Sequence, residues 1–257
     1  MHGFYSLLKT ALKEKGFFDD TEPHKLIVCG DVLDRGEEAV EMQNFMIDLL
    51  NKGELILVRG NHEDLMVDMI ENFWKYEDDI STGWSHHISN GTLDSALQLS
   101  GMYLRDVLDN PDVFVRSVKN SPFYKTLIPA SIDYFETNNY IFVHGWIPCI
   151  TDDMPNWYRK NRHYNYNPDW RNANKKDWDA ARWFNGMELA GLYNVVEINK
   201  QIICGHWHCS FGHYYFGVAE SEFGDHADFS PFYHDGIIAI DACTAHSGKV
   251  NCIVIED

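Results

Sequence analysis

The sequence predicts an α/β fold, and three observations carry that prediction. Between residues 25 and 58 a short apolar run, a helical stretch and a second apolar run follow one another, which is the pattern of a βαβ unit. From about residue 63 to 127 the spacing is mostly helical. Short apolar runs of strand length then return between residues 133 and 255.

The elements follow in order. Residues 4–15 place Leu7, Leu8, Ala11 and Leu12 on one face, which predicts an amphipathic helix with no strand before it. Lys25-Leu26-Ile27-Val28-Cys29 reads as a buried strand ending in Gly30-Asp31. Residues 37–50 have helical spacing through Val40, Phe45 and Leu49, and Asn51-Lys52-Gly53 stops them. Leu55-Ile56-Leu57-Val58 is the next strand, ending in Arg59-Gly60-Asn61-His62. Polar clusters thus stand at the carboxyl ends of both strands, where sheets of this kind bind ligands. Residues 65–76, 92–108 and 112–120 read as helices. Residues 64–127 are expected to form a helical insertion or cap within one domain spanning 1–257. Strands are expected at 133–135, 140–143, 201–204, 237–240 and 250–255, with a helix over 177–192. Residues 152–176 are polar and Trp-rich and read as a surface loop.

The formal net charge is -18. An acidic surface repels phosphate backbones, so nucleic-acid binding is not expected. Bound metal ions can reverse the sign locally, so a phosphorylated substrate stays open. The six cysteines, Cys29, Cys149, Cys204, Cys209, Cys243 and Cys252, include no C-x-x-C pair, and several sit in apolar runs. They read as reduced core residues of a cytoplasmic protein. There is no signal-peptide pattern and no apolar run long enough to span a bilayer, so no membrane association is expected. The oligomeric state is left open.

Four polar clusters each follow an apolar strand. They are Gly30-Asp31-Val32-Leu33-Asp34-Arg35-Gly36, Gly60-Asn61-His62-Glu63, Val143-His144-Gly145 and Gly205-His206-Trp207-His208. Any one alone is more often a turn or a satisfied core polar group. Their joint occurrence at strand ends points instead to a metal centre. Two divalent ions about 3.5–4 Å apart need a bridging carboxylate, and Asp31 suits that role. Imidazoles and an amide oxygen complete such shells without excess negative charge, and adjacent glycines let the backbone turn sharply. An acid is also needed to protonate the leaving oxygen.

The set G-D-x-x-D-R-G, G-N-H-E, H-G and G-H-x-H resembles the calcineurin-like metallophosphoesterases. Asp31-Val32-Leu33-Asp34-Arg35-Gly36 and Arg59-Gly60-Asn61-His62-Glu63 resemble its bacterial serine/threonine protein phosphatase branch, and the likeness runs nearly the whole length. The resemblance implies a four-layer αββα sandwich of two mixed β-sheets with a helical insertion. It implies metal-dependent hydrolysis of a phosphomonoester by a bridging hydroxide, with a phosphorylated protein or a small phosphoester as substrate. By the same resemblance Asp31 bridges the metals. Asn61, His144 and His206 bind the second metal, and His2 and His208 the first. His62 is the general acid, oriented by Asp34, and Arg35 grips the phosphate, a task for its planar fork of donors. Asp34-Arg35 also fits a plain salt bridge closing the turn. Arg182 stands suitably for a second phosphate-binding arginine and equally for a helix-surface charge. Arg59 is expected to support the site without touching substrate. The mixed oxygen and nitrogen ligands favour manganese and admit iron, zinc or cobalt.

Two alternatives to a protein phosphatase stand beside it. One is a nucleotide or diadenosine-polyphosphate hydrolase, although that type usually carries Asp where Glu63 stands. The other is a catalytically impaired relative that binds phosphorylated ligands without turnover. Its motive is a departure from the pattern. The resemblance implies a first strand ending in Asp-x-His-Gly, and this sequence opens at Met1-His2-Gly3. Losing an interior strand would leave buried backbone groups unpaired at about 1–3 kcal/mol each. A miscalled start or a trimmed chain is therefore the expected reason over real loss, and a weakened first metal site is expected.

Overall fold

The computed structural model describes residues 1–75, 84–151 and 163–256. Its N-terminal half is a βαβ unit. Helix α1 (Tyr5–Glu14) leads to β1 (Leu26–Cys29), α2 (Ala39–Lys52) and β2 (Leu55–Val58). β1 and β2 are parallel, with Leu26 beside Leu55 and Cys29 beside Val58. α2 buries Met42, Met46 and Leu49, spaced for one helical face, and ends at Gly53 with φ 72. α3 (Asn61–Glu71) starts directly at the end of β2. The expected helix at 65–76 thus begins earlier, because Gly60 and Glu63 cap it with the metal motif inside its first turn, and it ends at Glu71; Tyr76 lies outside the described residues.

Helices α4 (Ser85–Ser89), α5 (Thr92–Ser100), α6 (Leu104–Asp109) and α7 (Pro111–Asn120) follow, then a π turn over Phe123–Leu127. The single helix expected over 92–108 is two. Gly101 adopts φ 67, ends α5, and the Asp106 carboxylate accepts from Tyr103 N at 3.0 Å to start α6.

β3 (Phe135–Glu136), β4 (Tyr140–Phe142), β5 (Ile150–Thr151) and β6 (Tyr164–Asn165) come next. Helices α8 (Lys175–Ala181) and α9 (Gly186–Tyr193) precede β7 (Gln201–His208), α10 (Cys209–Tyr215), β8 (Phe232–His234), β9 (Ile237–Asp241) and α11 (Thr244–Ser247). Five strands form one mixed sheet in the order β3-β4-β7-β9-β8, with β4, β7 and β9 parallel and both edge strands antiparallel. The helix expected over 177–192 is also broken, because the Asn185 side chain accepts from Met187 N and Glu188 N and caps a new helix. Within the expected surface loop, residues 152–162 lie outside the described ones. The remainder holds β6, a 3₁₀ turn and the buried Trp170.

The apolar side chains form three clusters. One joins α1, α2, α3 and the helices after them to β1 and β2; a second packs α8, α9 and α10 on the five-stranded sheet. The third, built on Cys29, Val58, Phe142 and Ile203, joins β1 and β2 to β4 and β7. Residues 250–255, expected as a strand, join no ladder among the described residues, although Ile253 and Ile255 pack on that third cluster. A groove of about 400 Å³ runs between them and the unpaired edge of β1. Among the described residues no helix is long and apolar enough to cross a membrane.

Candidate metal centre

The carboxyl ends of β1, β2, β4 and β7 meet at one point. Glu63 ties the first two together. Its buried carboxylate accepts from Asp31 N at 3.0 Å, Val32 N at 2.9 Å and Gly60 N at 2.7 Å. Burial raises its pKa, and the negative Asp31 nearby raises it further. The approach is so close that a Cβ on Gly30 would lie 2.6 Å from both Gly60 Cα and the His144 ring. A Cβ on Gly60 would run into Asp31 Oδ1. The glycines of the two motifs are therefore a packing requirement of the site.

Asp31 is buried, with φ 54, and its two carboxylate oxygens face two groups of side chains. On one side stand His144, His206 and Asn61. His144 Nδ1 donates to Cys29 O at 2.7 Å, which turns Nε2 toward Asn61 Oδ1 at 2.7 Å and Asp31 Oδ1 at 3.3 Å. In a neutral ring with Nδ1 committed, Nε2 carries no proton. Three acceptors then converge with no hydrogen between them, an arrangement that a cation satisfies. The His206 ring lies 5.0 Å from that of His144. Its pKa is pushed down to about 4, by burial first and then by His144, so at neutral pH it offers a lone pair. Asp31, His144 and His206 bring their ligand atoms within 4.8 Å of one another.

On the other side stand His2 and His62, which form a second group with Asp31 at the same spacing. His2 Nδ1 donates to Leu33 O at 3.2 Å, and its Nε2 lies 3.6 Å from Asp31 Oδ2. Burial, with help from the N-terminal ammonium, holds the His2 pKa well below its ordinary value. Here a cation is already present: Arg35 reaches His2 Nε2 at 3.1 Å and His62 Nε2 at 3.3 Å. His62 Nδ1 donates to Asp34 Oδ2 at 2.7 Å, and its Nε2 lies 3.9 Å from Asp31 Oδ2. Burial works against a charged His62, but Asp31 and the Asp34 hydrogen bond outweigh it and raise its pKa. The donor chemistry of both groups suits divalent metals, with the fuller set on the His144 side.

Asp34 and Arg35 both have left-handed backbones, φ 77 and 62. Such positions cost about 1–3 kcal/mol and persist only where the surroundings enforce them. The enforcing residues lie on α5. Thr92 Oγ1 donates to Asp34 Oδ2 at 2.7 Å, and Asp34 N donates to Ser95 Oγ at 2.8 Å. Gln98 accepts from Ala39 N and donates to Gly36 O. A Cβ on Gly91 would strike Arg35 N, so the helix N-terminus sits directly on the turn.

Two expected site residues stand elsewhere. Arg182, 4% exposed, is held by Asp64 at 2.7 Å, Asp179 at 2.6 Å and Asp133. Arg59 takes the other Asp64 oxygen at 2.6 Å, so the guanidinium of Arg182 is engaged in a carboxylate network bridging α3 and α8. His208 is outside both groups. Its Nε2 donates to Glu222 at 2.7 Å, and its ring packs on Phe223. The His206 backbone is left-handed, φ 64, and the Trp207 side chain that follows it is exposed. Sequence reasoning passed over Thr92 and Ser95, which lie 58 and 61 residues from their partner and carry no local signal. Glu63 did have one, as the third residue of a capping box at Gly60.

The sequence profile described as Calcineurin-like phosphoesterase matches residues 1–210. Serine/threonine-protein phosphatase 2 of Salmonella typhimurium is 44% identical over 78 residues, 29% of this chain and 33% of that protein. The chain thus spans about a third of the length of that relative. Bis(5'-nucleosyl)-tetraphosphatase PrpE [asymmetrical] of Bacillus velezensis is 23% identical over 195 residues, 70% of each chain.

Proposed function

The chain belongs to the calcineurin-like phosphoesterase family, and from that premise we propose that it is a metal-dependent phosphomonoester hydrolase acting on phosphoserine or phosphothreonine in proteins. The observation that carries the reading is the convergence of His144 Nε2, Asn61 Oδ1 and Asp31 Oδ1 beside the Asp34–His62 pair. Asp31, Asn61, His144 and His206 would hold one ion, and His2 with Asp31 a second, weaker one, with manganese the expected metal. When bound, the ions would polarise the phosphoryl group and lower the pKa of the attacking water.

The side chains supply the rest. Asp34 fixes the His62 ring through Nδ1, which presents Nε2 to the leaving oxygen. The pKa of His62 is raised by Asp31 and Asp34, which favours protonation of Nε2 once Arg35 turns from it to the substrate. Arg35, now bridging His2 and His62, would turn its fork to the phosphoryl oxygens of a bound substrate. Arg182 is read as a brace between helices and His208 as a neighbour of the centre. The three core clusters support a four-layer αββα arrangement around this site.

A second reading has its own support. The tetraphosphatase relative aligns with 70% of the chain, where the protein phosphatase aligns with 29%, although at lower identity. Hydrolysis of a phosphoserine and phosphothreonine peptide panel, set against a dinucleoside tetraphosphate with manganese, separates them. Faster release of phosphate from the peptides is the expected result; cleavage of the dinucleotide alone would replace the first reading with the second.

A further inference from the structure

We propose that Thr92, on the helical region that follows α3, is a positioning residue for proton donation: it locks the Asp34 carboxylate that orients His62. The proposal rests on the reading of His62 as the acid. Asp34 Oδ2 receives two donors, His62 Nδ1 and Thr92 Oγ1, both at 2.7 Å. Both Asp34 and Thr92 are buried, so no water replaces a lost partner without rearrangement.

The hydroxyl has no evident task in docking the helix. Ser95 and Gln98, on the same face of α5, already hold the turn through Asp34 N, Ala39 N and Gly36 O. Thr92 Oγ1 has Asp34 Oδ2 as its one side-chain partner among the described residues, the same oxygen that holds the imidazole. Without that donor the carboxylate is free to turn about its terminal torsion, and the imidazole turns with it. The backbone of Asp34 stays fixed by Ser95. Thr92 thus determines the aim of His62 Nε2 and leaves substrate binding to Arg35.

A positioning role for an acid has a signature that a structural role lacks. Proton donation matters most when the leaving oxygen is a poor one. Thr92→Val removes the hydroxyl at nearly constant volume, and Thr92→Ser keeps it. With manganese, Thr92→Val is expected to lower kcat on phenyl phosphate about 10–100-fold, with KM within about 2-fold. The loss is expected to be several-fold smaller on para-nitrophenyl phosphate, and Thr92→Ser is expected to restore kcat on both. Thr92→Ala carries the same comparison if the valine variant does not fold. Equal losses on the two substrates, or a serine variant as impaired as valine, would overturn the proposal. A readout without turnover stands beside it: the low-field proton resonance of His62 Nδ1–H, assigned by its loss in His62→Asn. It should persist in Thr92→Ser and shift or broaden in Thr92→Val; an unchanged resonance in Thr92→Val overturns the proposal. If the wild type hydrolyses neither ester, the functional reading fails, and this spectrum alone decides whether Thr92 holds the ring.

Discussion

The two halves of the centre share Asp31 and little else. The half at His144 is made of strand ends. β1 supplies Cys29 O to fix the His144 ring, β2 leads into Asn61, and β7 carries His206. Its ligand atoms, His144 Nε2, Asn61 Oδ1 and Asp31 Oδ1, converge on one point, as a metal site requires. The half at His2 is made of turns. His2, Asp34 and Arg35 all have left-handed backbones, and an arginine already occupies the lone pairs of His2 and His62. The difference teaches that a sheet preorganises ligands through its own ladder, whereas turns must be held by other elements. Here α5 and the Glu63 carboxylate hold them.

The sharpest test of the comparison is metal affinity by calorimetry. Replacing His144 with Ala should weaken the tightest manganese by more than about 100-fold, beyond the 10–100-fold typical of a ligand's supporting partner. Replacing His2 with Ala should leave that event within about 3-fold and abolish only a weaker second one. Equal losses in the two variants would mean that the halves are equivalent.

Stability comes next. Glu63→Ala strands three buried N–H groups, at about 1–3 kcal/mol each. The melting temperature of the metal-free protein should fall by about 6–12 °C or more. A fall of about 1 °C would mean that water replaces the carboxylate and that the strand ends are not clamped by it.

Arg182→Met separates the brace from the phosphate grip. Three carboxylates surround this guanidinium, each at least a quarter exposed, so its removal should cost about 1–3 kcal/mol of stability. KM for para-nitrophenyl phosphate should stay within about 2-fold, and a tenfold rise would make Arg182 a substrate contact.

The fold and the site were legible in the sequence to different depths. β1 and β2 could be read because the apolar runs end in glycine-bearing polar clusters, and their bounds match within a residue. The helices at 92–108 and 177–192 each read as one because the breaks are short, residues 101–103 and 182–185, and turn on Gly101 in φ 67 and on Asn185 as a cap. Residues 250–255 have a strand's composition but pair with no strand among the described residues, and ladder partners are not a property of a local sequence. Of the expected metal ligands, His2, Asp31, Asn61, His144 and His206 come together. His208, a ligand by the resemblance, does not: its Nε2 is taken by Glu222.

The smallest expected effect is on pH. His206 is excluded from its charged form when folded, with a pKa of about 4 against an ordinary 6.5. Between those values the unfolded chain binds the extra proton. The stability tied to His206 is therefore full above about pH 6.5 and lost as pH falls toward 4. His62, with a raised pKa, acts in the opposite sense and loses its contribution as pH rises through its folded value. The metal-free protein should melt lower at pH 5 than at pH 7, and His206→Asn should flatten that slope; asparagine tolerates the left-handed backbone there. An unchanged slope would place the titration elsewhere.

The most direct test of the central claim is hydrolysis of para-nitrophenyl phosphate with added manganese, by the wild type and by His62→Asn. Turnover should require the metal and fall about 10²–10⁴-fold in the variant, the range for loss of an acid. Turnover that is independent of metal, or equal in the two proteins, would contradict it.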